Sequence, residues 1–272
     1  MGTASRHASR TGILLIAALA GRRGKTVALR LVGVASVTAL LLLFWNLFAR
    51  STDPSIVPGP DLVWTRFTEA LADGTYLPAL LSTAQEAALG WALATLVALP
   101  AGYLIGRVRA LEDAVAPYLA GSQAMPVVAI APLLVVWVGI GLTPKVIVSA
   151  LIAFFPVLAT MASGVRGVPR DLRDAAKVFG ADWLSLAILV DIPLAARTIF
   201  AGLKVAAALS VTGAVVGEFV SPDQGLGHLI LLGSTNFDTP LMFVALLSLI
   251  GLGAISYTAV SLVEKVVLRW DD

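Results

Sequence analysis

A chain of 272 residues that is 58% hydrophobic and 13% charged, with a mean hydropathy of +0.90, carries more apolar surface than a soluble domain of that length buries. Lipid must therefore cover the remainder. The net charge of +2 is small and the basic residues flank apolar runs without interleaved aromatics, which argues against nucleic acid, while the absence of cysteine removes disulfides, thiolate metal sites and cysteine nucleophiles together.

In chain order, Arg6 and Arg10, the apolar Ile13 to Leu19 and then Ala18-Leu19-Ala20 imitate a minimal signal peptide. Cleavage would strand Arg22, Arg23, Lys25 and Arg30 outside the first span, against the charge bias described below, so residues 1–30 read as a basic cytoplasmic arm. Gly24-Lys25-Thr26 imitates the end of a phosphate-binding loop, but Leu19 stands where that loop needs glycine and no strand precedes it. A first transmembrane helix is expected over residues 31–49, then an outer connector over 50–76 whose prolines 54, 58 and 60 force it to be extended. From Asp61, an N-cap, Leu62, Val63, Phe67, Ala70 and Leu71 recur at helical spacing, with Arg66, Glu69 and Asp73 facing away and Trp64 as an interfacial anchor. This short helix is either a ledge for a solute-binding protein or a plain interfacial helix.

A five-helix core is expected over residues 77–268. Its spans run from Leu77 to Gly106, interrupted only by Glu86; Ala114 to Gly139; Val146 to Gly164; Thr198 to Val220, with Lys204 near its start and Glu218 near its end; and Thr239 to Val263. All six spans should be helices, since a backbone in hydrocarbon must satisfy its own hydrogen bonds. Pro117, Pro126 and Pro132 predict that the third span is kinked or broken, tolerable only where protein or a wet cavity covers the freed groups. Gln123, Met125 and Trp137 there, with the intramembrane acids Glu86 and Glu218, are the candidate substrate pathway; a packing kink and wet span ends are the plainer readings. Gly102-x-x-x-Gly106 and Gly213-x-x-x-Gly217 mark close helix approaches, within one subunit or between two. With both termini cytoplasmic, Arg50, Arg66 and Lys145 are the outer cations and the other sixteen of nineteen Lys and Arg fall inside.

The most informative stretch is the polar loop between the fourth and fifth spans. Asp174-Ala175-Ala176, three residues, Gly180, nine residues and Val190-Asp191-Ile192-Pro193 resemble the E-A-A, x3, G, x9, I-x-L-P motif of permease subunits of bacterial ATP-binding-cassette importers. Met125 to Leu133, Trp137 to Gly141, Gly213 to Phe219 and Gly225 to Ile230 are similar to the nitrate, taurine and alkanesulfonate uptake group, which also takes in vitamin and vitamin-precursor systems. His228 departs from that group's commoner tyrosine.

The resemblance implies an all-α membrane protein with six transmembrane helices, the type I ABC importer permease fold, and a coupling helix at about residues 170–184. Asp174, Ala175, Ala176, Gly180 and Pro193 would form the ATPase-coupling site, with Gly180 turning the chain and Pro193 starting the next helix. It implies a pair of ATPase subunits, a periplasmic or lipoprotein solute-binding protein and a second permease copy as partners, a location in the bacterial inner membrane, no cofactor of its own and no catalysis by this chain. An ion-coupled secondary carrier is the alternative, for which only Glu86 offers a relay; an intramembrane enzyme lacks a catalytic pair.

Overall fold

The computed structural model describes residues 32–33, 35–123 and 126–269, and every regular element in it is helical. The basic arm over residues 1–30 and Met125 lie outside the described residues. Contacts divide the chain into two compact units that meet between Leu62 and Val63.

In the first unit, α1 (Ala35–Ser51) is an apolar helix with Leu40, Leu41 and Phe44 exposed, as befits a surface facing lipid. The connector after it is not extended. Pro54 presets a turn, so that Ile56 N–H reaches Asp53 O at 2.9 Å while the Asp53 carboxylate accepts from Ser55 N–H at 2.9 Å. Trp45 Nε1 donates to the Pro58 carbonyl at 3.1 Å and closes the turn. Helix α2 (Pro60–Ala72), which belongs to the second unit from Val63 onward, starts one residue before the expected cap, and Trp64 on it is 66% exposed. Arg66 does not face away into water: its Nε bonds Asp238 at 2.7 Å and its Nη1 lies 3.5 Å from Glu69.

The second unit is built on α3 (Tyr76–Arg107), α6 (Leu142–Arg166) and α8 (Trp183–Val220), with α6 packed against both of the others. Both glycine seams serve that packing. A Cβ on Gly213 would fall 2.5 Å from Ser149 Cα, on Gly217 2.7 Å from Lys145 Cα and on Gly102 2.8 Å from the Leu158 carbonyl, and on Gly106 it would strike the Ala162 carbonyl. Small residues thus let α3 and α8 approach the α6 backbone from two sides. Ala98, Ala153, Val157, Val165 and Ala206 fill the core between them.

The expected third span is two helices, α4 (Arg109–Gln123) and α5 (Val127–Val138), with Pro126 at the start of the second. Pro126 lacks the N–H that would continue the ladder and disfavours helical geometry in the residue before it. Helix α5 lays Ala131 and Leu134 against Val148 of α6. A short α7 (Arg170–Val178) follows α6. At the other end of the bundle α9 (Leu226–Thr235) turns back between α8 and α10 (Thr239–Val267). Four described helices, α3, α6, α8 and α10, are long and apolar enough to cross a membrane, and α1 and α5 are shorter apolar helices within the other two expected spans.

Candidate functional site

Helix α7 is nine residues long because its end is written into the sequence. Gly180, at φ +87°, donates to Lys177 O at 2.9 Å and Ala181 N–H reaches back to Ala176 O at 3.1 Å, the paired bonds of a Schellman turn that a side chain at Gly180 would strain. Asp171 in its first turn and Lys177 in its last complement the helix dipole. Lys177 Nζ donates to Asp174 at 2.7 Å and holds that exposed carboxyl below its ordinary range. At 100° per residue, Arg170, Arg173, Asp174 and Lys177 share one face, and Leu172, Ala175, Ala176 and Phe179 the opposite one. The apolar face is uncovered, with Phe179 91% and neighbouring Val178 85% exposed.

The basic face anchors the helix. Arg173 Nε donates to Asp191 Oδ1 at 2.5 Å and its Nη2 to the Val165 carbonyl of α6. Asp191, fully buried, also accepts from Tyr103 Oη at 3.0 Å, and Arg107 Nε lies 3.5 Å away. One carboxylate therefore joins α7, α3 and α8. Asp191 ends a five-residue π-helical stretch, Ala187–Asp191, closed by Ile192 N–H on Ala187 O. The wider turn relieves the clash that Pro193 would make in a regular helix. Consequently Pro193 does not start the helix, which runs unbroken from Trp183; it marks where regular α geometry resumes. Asp182 caps α8 by accepting from Ser185 N–H at 2.8 Å.

At the opposite end of the bundle lies a second buried charge cluster. Glu218 is not wet: it is 0% exposed, with Thr83 Oγ1 donating at 2.6 Å to one oxygen and Gly227 N–H at 2.5 Å to the other. Gly225 and Gly227 press on this carboxylate so closely that a Cβ on either would collide with it. Glu86, 1% exposed, accepts from Lys145 Nζ at 3.0 Å and Ser82 Oγ at 3.1 Å. Lys145 is buried as well, and also bonds Asp223 and the Gln224 carbonyl. Burial alone would raise the Asp223 pKa, but the bonds from Lys145 and from Gln224 N–H outweigh it and hold it below the ordinary value.

The pathway candidates are thus scattered. Glu86 and Glu218 meet in this cluster, Gln123 ends α4, and Trp137 sits 70% exposed near the end of α5. Lys204 Nζ, near the start of the expected fifth span, donates to Glu264 of α10 at 2.7 Å. Sequence reasoning passed over Lys145, Arg173, Asp191 and Asp223 as partners. The available signal was Arg173 and Asp191 inside an otherwise matched motif, and a lysine at the mouth of a span.

A protein-family model described as a binding-protein-dependent transport system inner membrane component matches residues 94–269. The chain belongs to that family. Relatives of this permease include the riboflavin transport system permease protein RibX of Chloroflexus aurantiacus, 43% identical over 88% of this chain and 90% of that protein. The formylaminopyrimidine transport permease protein ThiX of Halalkalibacterium halodurans is 30% identical over 85% of this chain and 92% of its own length. Among solved structures, the MetNI methionine ABC transporter in an inward-facing conformation superposes with a TM-score of 0.64 at 18% identity, covering 72% of this chain and 97% of that one. The fold is that of an ABC importer permease, and the protein is a transport component of the inner membrane.

Proposed function

We propose that this permease imports a small heterocyclic vitamin or vitamin precursor, with riboflavin the first candidate, using ATP hydrolysed on a separate pair of ATPase subunits. The observation that carries the coupling is α7: an exposed apolar face of Leu172, Ala175, Ala176 and Phe179 backed by an ion-paired face rooted through Arg173 in a long span. An uncovered apolar face on a polar loop is suited to a protein partner, and the buried root passes its displacement into α3 and α8. Both termini and α7 are cytoplasmic in this reading, a second copy completes the pore, and a solute-binding protein delivers the solute at the Glu86–Lys145–Glu218 end. The small-solute range rests on the relatives for riboflavin and formylaminopyrimidine.

Two experiments test the two halves. Ala175→Arg places a charge in the apolar face and is expected to abolish co-purification with the cognate ATPase while leaving the permease in the membrane. Unchanged co-purification would remove α7 from the contact. Uptake of labelled riboflavin by riboflavin-auxotrophic cells expressing the whole importer tests the substrate. No uptake above the level of cells lacking the permease would rule riboflavin out.

A further inference from the structure

Between the α7 basic face and the start of α4 lies a cavity of about 530 Å³. Its lining holds six Lys or Arg against three Asp or Glu, a surplus of three positive charges in a confined space. Most of the cations are already engaged: Arg166 with Glu112, Arg173 with Asp191, Lys177 with Asp174, and Arg107 beside Asp191. Arg109 and Arg170, both exposed, make no hydrogen bond or close ion pair among the described residues, although Arg170 lies near enough to the Asp174 carboxyl to help lower its pKa, and both line the cavity. Two exposed guanidinium groups with no carboxylate in ion-pair reach, lining one basic cavity, offer an anion planar forks of donors, and phosphate oxygens accept in that geometry.

The surroundings distinguish a lipid from a free ion. The last residues of α3 and α6 line the cavity, and Val108 and Leu111, adjacent in sequence to its arginines but outside its lining, are exposed at 45% and 37%. An apolar shelf beside a basic cavity at the end of membrane-spanning helices suits an acyl chain joined to its headgroup. The apolar face of α7 points the other way, so an ATPase seated there leaves the cavity open.

We propose that this cavity binds the phosphate headgroup of an anionic phospholipid, with Arg109 and Arg170 as the two phosphate donors. The inner leaflet as its source rests on the orientation proposed above; the binding itself does not. The test uses the full chain purified in neutral detergent without its ATPase, so failure here is separable from failure of the coupling reading. Short-chain phosphatidylglycerol, short-chain phosphatidylcholine and inorganic phosphate are titrated separately, with binding read by native mass spectrometry and thermal shift. Phosphatidylglycerol is expected to bind well ahead of the other two. Arg109→Gln combined with Arg170→Gln should weaken it by at least about tenfold, whereas Lys265→Gln with Arg269→Gln, removing equal charge elsewhere, should leave it unchanged. Arg109→Gln alone should give part of the loss, which keeps the test decisive if the double variant does not fold. Equal binding of inorganic phosphate would make this a free-anion site. Equal loss in the control pair, or none in the arginine variants, would overturn the proposal.

Discussion

Lys145 shows how a single side chain organises one end of the bundle. It is 1% exposed and neutralises Glu86, also 1% exposed, so each charge is tolerable in a low-dielectric setting only because of the other. Lys145→Met leaves two acids without their cation and is expected to destabilise the chain by about 3–5 kcal/mol, read as a lowered unfolding midpoint in detergent. Glu86→Gln retains shape and an acceptor and should lose less. An unchanged midpoint for the methionine variant would mean that the cluster is hydrated and replaceable. Asp223 adds a pH dependence at the same place. Its folded pKa lies below the ordinary 3.8, so its contribution is complete above that value and is lost as pH falls through the folded pKa. The wild-type midpoint should drop in that acid window, and Asp223→Asn should flatten the drop.

At the scale of elements, the helices are joined by two kinds of contact that fail differently. Glycine seams fix how near α3 and α8 come to α6, and the obstruction at Gly213 is backbone, which cannot turn aside. Gly213→Val should therefore yield little folded protein, whereas Gly253→Val, where a Cβ meets nothing within 4 Å, should be recovered at the wild-type level in size-exclusion chromatography. Equal recovery of both would show that the seam relaxes. The Asp191 contact instead joins α7 to its neighbours by charge. Asp191→Asn weakens the hold on Arg173 without changing bulk, so the ATPase should still co-purify while solute moved per ATP hydrolysed falls severalfold. Faster hydrogen exchange over residues 170–178 should accompany that loss. Wild-type exchange together with wild-type stoichiometry would deny Asp191 a positioning role.

For the whole molecule, the proposed orientation divides the cations by side as well as by number. Of the three cations outside in that orientation, Lys145 and Arg66 are paired with acids, and so are Arg166, Arg173, Lys177 and Lys204 inside, so the orientation rests on the Lys and Arg count and not on pairing. Single cysteines introduced into this cysteine-free chain at Ala110 and Val178 should resist an impermeant thiol reagent applied outside intact cells, and one at Thr235 should react. Labelling of Val178→Cys from outside would invert the topology and remove α7 from reach of any ATPase. Much of this architecture is legible in one dimension. Membrane class, helical spans, the break near Pro126 and the turn at Gly180 follow from local rules: hydrocarbon thickness, the missing proline donor, and glycine's access to positive φ. The glycine repeats announced close approach but not its partner, which only the packed chain identifies as α6. Likewise Glu86, Lys145 and the stretch that holds Glu218 and Asp223 lie far apart in sequence, and so do Arg173 and Tyr103. Which charge neutralises which depends on how antiparallel helices bring distant residues to the same end of the bundle, and that the tertiary structure alone decided.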